Sequence, residues 1–378
     1  MQLLGQADDR ELGIGARIIA GVFRLLLAIL IPLIAFFVLY QGFLFLRAGN
    51  APKWLITLIA IVWGVGGVAV LYWIFNWLVE MLPDQWMARL QPFVFVGPAV
   101  VILAWYLAIP TVRTSWISLF GRDGPAGGEF VGIANYVAVF TERVMREAFR
   151  NNILFWMAIA TPLTVSFGLL IAVLADRSKY ERTAKSLIFM PMAISFVGAS
   201  VIWNFIYEVK PVTAPQIGLL NAVVVGLGGQ PQAWTAWTAI APFNNLFLVI
   251  IVLWLQAGYS MTLFSAALKG IPEEIIEAAR VDGATEVQVF FRIMIPYIMG
   301  TIITVTTTII IFTLKIFDVV WVMTGGQFGT EVIATQFYRQ SFTNRNAGFG
   351  AAIAIVLFIA VIPVMIYNLR QFREQEAF

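Results

Sequence analysis

Residues 269–297 read KGIPEEIIEAARVDGATEVQVFFRIMIPY, a polar stretch set between two long apolar runs. Pro272 suits the first position of a helix, because its missing N–H is not needed there, and the two glutamates after it favour the positive end of the helix dipole. Gly283 predicts where this helix ends, since glycine tolerates the left-handed conformation. Thr285 and Gln288 have the spacing of a capping box for a second short helix. The stretch therefore predicts a helical hairpin at one face of a membrane bundle.

The composition of the chain excludes a soluble globular protein. Hydrophobic residues make up 60% of the 378 residues, charged residues make up 12%, and the mean hydropathy is +0.86. The sequence contains no cysteine and no histidine, which excludes disulfides, thiol chemistry and histidine-based catalysis or metal binding. The net charge of +3 does not indicate nucleic-acid binding, and the phosphate-binding pattern GxxxxGK[ST] is missing. Any ATP that drives this protein must therefore be bound by another chain.

Apolar runs on both sides of the hairpin predict an all-α polytopic membrane protein with about eight transmembrane helices. Each run reaches or approaches the roughly 20 residues needed to cross the hydrocarbon core. The predicted spans are 25–46, 54–78, 93–111, 153–174, 187–207, 244–268, 297–324 and 349–367. The loop 112–152 contains an amphipathic segment, 136–151, that we expect to be a surface helix.

The spans divide the chain into four predicted parts. These are a cytoplasmic segment 1–24, two additional spans and an interfacial link at 25–91, a six-span core at 92–368, and a cytoplasmic tail 369–378. The link is predicted at 79–91, and the hairpin 269–297 is a loop of the core.

Lys and Arg in the loops set the predicted orientation, because cytoplasmic loops carry an excess of them. The linker 177–185 is basic, and two predicted spans separate it from the hairpin, so both lie on one side. Counting spans outward places both termini on that side, which we take as the cytoplasm. The loop 112–152 disagrees in part, since five of its arginines face outward.

The hairpin resembles a motif of a known family. Its residues Glu277-Ala278-Ala279, Asp282-Gly283-Ala284 and Pro296 are similar, in identity and spacing, to the EAA loop of ABC importer permeases. The resemblance covers roughly 92–370 and includes FVGIANYVAVF at 130–140, FMP at 189–191 and LKIFDVVWVMTGG at 314–326. These segments resemble the larger, maltose-type permease subunit of type I ABC sugar importers. The sequence after Gly325-Gly326, with the ending NLRQFREQEAF, is most similar to the α-glucoside type, which includes trehalose, sucrose and glucosylglycerol permeases.

The resemblance implies a type I ABC importer permease core in a bacterial inner membrane. It implies a non-enzymatic subunit that forms half of the pathway for an oligosaccharide or α-glucoside. The implied partners are a second homologous permease, a cytoplasmic ATPase dimer that binds ATP and Mg, a periplasmic or lipid-anchored solute-binding protein, and membrane lipid. The implied ATPase-coupling residues are Glu277, Ala278, Ala279, Asp282 and Gly283. The alternative to a coupling role is that the hairpin is an ordinary amphipathic helix pair at the membrane interface.

Polar side chains inside the fifth and sixth predicted spans indicate a solute pathway. Gln256, Tyr259 and Ser260 share one helix face through their i, i+3, i+4 spacing. Ser200, Asn204 and Tyr207 share a face in the same way. Their hydroxyl and amide groups, beside Trp203 and Trp254, suit a sugar, which offers hydroxyls for hydrogen bonds and C–H faces for stacking. The alternative is that these groups only hydrogen-bond a neighbouring span.

The seventh predicted span carries a third polar stripe, with Thr304, Thr308, Lys315 and Asp318. A lone charge at mid-bilayer costs about 2.5–3.5 kcal/mol, so Lys315 and Asp318 are expected to pair or to lie near the outside end. They are either a gate or a structural ion pair. The full predicted pathway set is Asn204, Trp254, Gln256, Tyr259, Ser260, Thr313, Lys315 and Asp318.

Two other classes of protein remain as alternatives from the sequence. A secondary transporter needs a coupling carboxylate inside the spans and usually an inverted repeat, and Asp318 is the one candidate carboxylate, with no repeat detected. A membrane-embedded enzyme needs a catalytic set, which the sequence does not offer. Association with an ATPase would distinguish the importer from both.

Overall fold

The computed structural model describes residues 14–80 and 84–375. Within these ranges the fold is all-α, and the one extended pairing is an isolated bridge between Phe120 and Phe130. Six of the described helices are long and apolar enough to cross a membrane, or up to eight spans exist if each of two bent helix pairs is one span. The predicted all-α polytopic fold is confirmed. The chain groups into two compact units that divide between Thr111 and Val112.

Three long helices make up the first unit. They are α1 (Ile14–Ala48), α2 (Lys53–Glu80) and α3 (Asp84–Leu103), and α3 continues through a π-helical segment, Ala104–Ala108, into Ile109–Ile117. The helices α1 and α3 begin earlier than predicted, so residues 14–24 and 84–91 are helical rather than a terminal segment and a link. In 84–91 the reason is composition, since Trp86, Met87, Ala88 and Leu90 continue the apolar helical pattern.

Close contacts pair the helices of this first unit. Gly42 of α1 lies so near the Trp63 ring of α2 that a Cβ added to it would be 2.0 Å from that ring. The Tyr72 hydroxyl of α2 donates to the Phe95 carbonyl of α3 across 3.2 Å. Over residues 30–80 and 86–111, most other apolar side chains are exposed or half-buried, as expected for helices that are hydrophobic on all sides in lipid.

The second unit contains twelve described helices. They are α4 (Ala134–Thr141), α5 (Arg143–Asn151, then Asn152–Ala160 and Thr161–Asp176), α6 (Glu181–Phe189), α7 (Phe196–Tyr207), α8 (Leu219–Gly226), α9 (Asn245–Lys269), α10 (Glu273–Val281), α11 (Glu286–Val289, then Phe290–Met294 and Ile295–Tyr297), α12 (Met299–Leu314), α13 (Asp318–Thr324), α14 (Ile333–Tyr338, then Arg339–Thr343) and α15 (Ala347–Gln375).

The predicted surface helix 136–151 is divided between two helices. Its first part is α4, and its second part is the beginning of α5, which runs on into the fourth predicted span as one helix of 34 residues. Met145 and Ala148 are fully buried, which holds this extension against the rest of the unit. The helix α15 likewise runs into the predicted tail 369–378, as far as Gln375.

The fifth predicted span is broken. Helices α6 and α7 meet at 104°. Pro191 lies in a 3₁₀ turn, Met190–Ala193, and the Ser195 side chain starts a new helix by accepting the Gly198 N–H across 3.0 Å. Residues 187–207 therefore form an interfacial elbow followed by a shorter membrane helix.

The seventh predicted span is also broken, at both ends. Helices α11 and α12 meet at 69° near Ile298, and α12 ends at Leu314 before α13 begins at Asp318. The last carbonyls of α12, at Thr313 and Leu314, have no partner within the helix. The Asn152 side-chain amide donates to them across 3.3 and 3.2 Å. The predicted stripe through Lys315 and Asp318 on one helix is therefore wrong.

Helix α9 is the centre of the second unit. Its first half packs into a core cluster around Trp156, and its second half packs into another around Phe264. Glycines bring the neighbouring backbones close, since a Cβ on Gly168 would lie 2.3 Å from the Ser260 Cβ, and one on Gly258 would lie 2.7 Å from the Ile188 carbonyl oxygen. Helices α5, α6 and α9 therefore form one tightly packed block.

Candidate functional site

The hairpin forms as its sequence predicts. Helix α10 begins at Glu273. Pro272 is therefore its N-cap residue, whereas the sequence predicted Pro272 as the first residue of the helix. Gly283 adopts a left-handed φ of +83° after the helix ends. The capping box is present, since the Gln288 N–H donates to Thr285 Oγ1 across 3.3 Å and the Thr285 N–H donates to Gln288 Oε1 across 2.8 Å. Two short helices thus meet at a sharp, well-defined turn.

One face of the hairpin packs on the bundle and the other is exposed. Ile271 is buried, and Ile276 packs against the core cluster around Phe264. The residues of the predicted coupling set lie on the outer side, where all are exposed except the half-buried Ala279: Glu277, Ala278, Ala279, Asp282 and Gly283. Apart from its neighbours in the chain, no atom of the described residues lies within 4 Å of a Cβ placed on Gly283. The structure therefore presents small side chains on a surface that this chain leaves open.

Glu286 joins the two helices of the hairpin and the end of α5. Arg280 Nε donates to Glu286 Oε1 across 2.8 Å, and this contact lowers the pKa of Glu286 and raises the pKa of Arg280. Arg177 lies 3.6 Å from the other carboxylate oxygen of Glu286. Because all three side chains are more than half exposed, the contacts set the hairpin's geometry more than the stability of the fold.

A second charged cluster, centred on Lys185 of α6, ties together the ends of α5 and α9. The Lys185 ammonium pairs with Asp176, donates to Glu181 Oε1 across 2.6 Å, and donates to Ser265 Oγ across 2.5 Å. Ser265 in turn donates to Asp176 Oδ1 across 2.8 Å, and Lys269 pairs with Glu181. We call these five residues the Lys185 cluster. The sequence analysis noted the basic linker but gave no sign of this pairing.

The Lys185 cluster shifts the titration of its members. Hydrogen bonds from Lys185 and then from Lys269 lower the pKa of Glu181 from 4.5 to about 2. Partial burial lowers the pKa of Lys185, but its hydrogen bonds to Asp176 and Glu181 outweigh burial and leave that pKa raised. Both groups are therefore charged at neutral pH, and the cluster stays intact.

Helices α7 and α9 meet through a pair of tryptophans, of which Trp254 belongs to the predicted pathway set. The rings of Trp203 and Trp254 meet edge to face, with centroids 5.9 Å apart. Gln256 and Tyr259 are half-buried, and Asn204 is exposed. Gln256 lies about 200° around α9 from Trp254, and Tyr259 packs against the core cluster around Phe264, so the neutral hydrogen-bonding groups are not on the tryptophan side of α9.

Other members of the predicted set lie inside helix contacts. Ser260 is fully buried against Gly168, and Thr313 is fully buried with its hydroxyl donating to the Ile310 carbonyl across 3.1 Å. The neighbouring hydroxyls of Ser200 and Tyr207 also donate to backbone carbonyls. These positions have the surroundings that the helix-packing alternative predicts.

Lys315 and Asp318 do not form the predicted ion pair in the described part of the chain. Lys315 is the exposed C-cap residue that follows α12, and Asp318 is the half-buried first residue of α13. The irregular turn between them replaces the i, i+3 helical spacing on which the pair depended.

Two pairs of adjacent asparagines, one within α5 and one at the beginning of α9, were missed by the sequence analysis. Asn151 donates to the carbonyls of Gly329 and Glu331, both across 2.8 Å. Asn245 donates to the same Gly329 carbonyl across 3.1 Å, and Asn244 donates to the Phe328 carbonyl across 2.9 Å. All of these asparagines are fully buried. They fix the loop before α14, and the signal was the repeated Asn-Asn pair at the ends of two spans.

The fold and the hairpin agree with the result of comparison with known families. Residues 131–374 match the family described as the binding-protein-dependent transport system inner membrane component, and the chain belongs to this family. It is a multi-pass permease subunit of an ABC importer. The family predicted from the EAA-like hairpin is confirmed, and the secondary-transporter alternative is not supported.

Two relatives and one solved structure show how far the similarity extends. The osmoprotective compounds uptake permease protein GgtC of Synechocystis sp. is 51% identical over 282 residues, which are 75% of this chain and 99% of GgtC. The alpha-glucoside transport system permease protein AglF of Rhizobium meliloti is 49% identical over 283 residues, 74% of this chain and 82% of AglF. A bacterial ABC transporter for the acidic polysaccharide alginate shares the fold, with a TM-score of 0.64 at 19% identity over 77% of this chain and 99% of that chain.

Proposed function

We propose that this permease imports an α-glucoside or a related sugar-like osmoprotectant, of the trehalose, sucrose, maltose or glucosylglycerol type. The similarity to GgtC and AglF, at about half of aligned positions, supports this class of solute. The Trp203–Trp254 pair, together with Gln256 and Tyr259 elsewhere on α9, supports it chemically, because aromatic faces and neutral hydrogen-bonding groups match a sugar.

We further propose that the exposed hairpin is the contact through which a cytoplasmic ATPase dimer moves the spans. The observation that carries this proposal is the open surface around Gly283, where Glu277, Ala278 and Asp282 are also exposed. The ATPase binds ATP and Mg, and this chain binds neither. A second homologous permease supplies the other half of the pathway, and a periplasmic or lipid-anchored binding protein delivers the solute.

The proposed orientation puts the hairpin, the Lys185 cluster and both termini on the cytoplasmic side of the bacterial inner membrane. Lys and Arg of the linker 177–185 support this side as the inner one. In the proposed mechanism, closure of the ATPase dimer pushes the hairpin. The packed block of α5, α6 and α9 follows, and access to the solute alternates between the two sides. Each ligand shifts this equilibrium by binding one state more tightly than the other.

The docking proposal is tested by replacing Gly283 in the complete transporter reconstituted in liposomes. Gly283→Val places a branched side chain at a left-handed backbone position, at a cost of about 1–2 kcal/mol, and fills the open surface. We expect ATP hydrolysis to continue while solute uptake per ATP falls at least about tenfold. Gly283→Asn separates docking from backbone strain: asparagine tolerates the left-handed conformation but fills the same surface, so uptake per ATP should fall in this variant too. Unchanged uptake per ATP in Gly283→Val would show that the hairpin does not dock there.

The pathway proposal is tested by replacing Gln256 with Leu and Tyr259 with Phe together. We expect uptake to be lost while the complex still assembles, because the solute loses its hydrogen-bond partners. Ser260→Ala is the control, since its hydroxyl lies in a helix contact and has no hydrogen-bond partner in the described structure. Normal uptake by the double variant would remove both residues from the pathway.

A further inference from the structure

A groove lies between the end of α5 and the beginning of α11, on the side of the membrane that carries the hairpin. It has a volume of about 240 Å³. Its lining combines one cation and one anion with apolar side chains: Arg177, Glu286, Leu170, Val173, Val287, Phe290 and Phe291. Leu170 lies seven residues before Arg177 on one helix, which places it about 10 Å deeper along the helix axis. The groove therefore leads from a charged mouth into the apolar layer of the membrane.

Arg177 lines this groove, and two further cations with unused hydrogen-bond donors, Lys179 and Arg182, follow it in the chain by two and five residues. Arg177, Lys179 and Arg182 are all exposed, and no hydrogen bond in the described part of the chain uses any of their side-chain nitrogens. The one ionic contact among them joins Arg177 to Glu286 at 3.6 Å, which is too long for a hydrogen bond. Lys185, in contrast, has three partners in the Lys185 cluster, and Lys269 is paired there with Glu181.

We propose that the groove binds an anionic phospholipid of the cytoplasmic leaflet. The phosphate lies against Arg177, Lys179 and Arg182, and an acyl chain lies along Leu170 and Phe291. The positive charge at the mouth of the groove and the extension of the groove into the apolar layer both favour an anionic phospholipid. Three donor-rich cations at the headgroup level attract a negative phosphate, and the exposed apolar wall behind them matches a hydrocarbon chain. The assignment to the inner leaflet rests on the proposed orientation, but binding itself does not.

Such a lipid would also act on the hairpin. Its phosphate and the Glu286 carboxylate are both partners for Arg177, so a bound lipid competes with the contact between α11 and the end of α5. The contact between Arg280 and Glu286 within the hairpin is left in place. The position of the hairpin relative to α5 therefore depends on the anionic lipid content of the membrane.

The binding is measured on the full-length chain, purified with its associated subunits, by native mass spectrometry with added lipid. The two probes are phosphatidylglycerol and phosphatidylcholine with identical acyl chains. Each cation near an anionic lipid contributes roughly a fivefold increase in affinity. We therefore expect phosphatidylglycerol to bind at least about tenfold more tightly, and the triple variant R177Q/K179Q/R182Q to lose this preference.

Matched variants separate lipid binding from a structural effect. The variant R113Q/R143Q/R146Q removes the same charge from exposed arginines on the opposite side and must keep the preference. Glu286→Gln breaks the ionic contact of Arg177 while removing a repulsive charge, so it must keep or strengthen phosphatidylglycerol binding. Added glycerol phosphate must not displace the lipid, because it lacks the acyl chain.

Four results would each overturn the proposal. These are equal binding of the two lipids, equal loss in the two triple variants, weaker phosphatidylglycerol binding in Glu286→Gln, and displacement by glycerol phosphate, which would indicate a site for free phosphate. None of these measurements uses solute transport, so a failure here is distinct from a failure of the proposed function.

Discussion

Glu181 illustrates how one carboxylate makes the stability of this protein depend on pH. Its pKa falls from 4.5 to about 2 because Lys185 and Lys269 donate hydrogen bonds to the charged form. A pKa that is lower in the folded state means that the carboxylate stabilises the fold above the unfolded pKa of 4.5. This contribution disappears as the pH falls through that range toward 2. The Lys185 cluster should therefore weaken in acid.

The prediction compares melting temperatures of the wild type and Glu181→Gln in nanodiscs from neutral pH down to acid. We expect the wild type to be more stable at neutral pH, and the difference to shrink steadily as the carboxylate is protonated. Glu129→Gln is the control, since Glu129 is exposed and makes no ion pair in the described ranges, so its replacement should have little effect at any pH. A pH-independent difference for Glu181→Gln would contradict the assigned pairing.

Lys185 also shows why the sequence alone did not reveal its cluster. The partners Asp176 and Ser265 are 9 and 80 residues away, and they come together only because α5 and α9 pack side by side. The hairpin was predictable in detail, because Gly283 and the pair Thr285 and Gln288 act through local backbone rules. Local signals thus predicted the hairpin, whereas contacts between distant helices needed the fold.

The positions at which the membrane helices break could be predicted only in part from the sequence. Composition predicted eight apolar runs, but α12 ends at Leu314, where Asn152, on another helix, donates hydrogen bonds to the last two carbonyls. The bend between α6 and α7 had a local sign in Pro191 and Ser195, which an unbroken apolar run concealed. Apolar length predicts where membrane segments lie, and capping partners decide where helices stop.

The close packing of α9 against α6 predicts how a substitution affects the block formed by α5, α6 and α9. A Cβ on Gly258 would lie 2.7 Å from both the Ile188 carbonyl oxygen and the Phe189 Cα, which are backbone atoms that cannot swing aside. Gly258→Ala should therefore push the elbow away from α9 and destabilise the protein by about 1–3 kcal/mol. The measurement is the thermal unfolding midpoint of the purified complex, together with uptake in liposomes.

Gly64 of α2 provides the control for this substitution. It also lies within a helix, but no atom is within 4 Å of a Cβ placed there. Gly64→Ala should leave stability unchanged or raise it slightly, since alanine is the better helix former by about 1 kcal/mol. Equal effects of the two substitutions would mean that the close approach at Gly258 does not hold the block together.

The whole chain combines a core that matches its family with an additional N-terminal part. The family match begins at residue 131, and the alignment with GgtC includes 99% of that relative but 75% of this chain. Over residues 30–80, α1 and α2 bury almost none of their side chains within this chain, in contrast to α9. We infer that the two additional spans are not needed to build the half-pathway.

This inference predicts that the number of spans removed decides the effect of a deletion. Without residues 1–80 the chain loses α1 and α2 together, and an even number of removed crossings leaves every later loop on its original side of the membrane. We expect this variant to assemble with its partners and to transport solute at a rate comparable to the full chain.

Without residues 1–50 the chain loses α1 alone, which inverts the hairpin relative to the ATPase or forces α2 out of the membrane, and uptake should be lost. The two deletions are compared by uptake and by protease accessibility of the hairpin in inside-out vesicles. Loss of uptake in both, with the hairpin still accessible in the longer deletion, would show that the additional spans take part in transport itself.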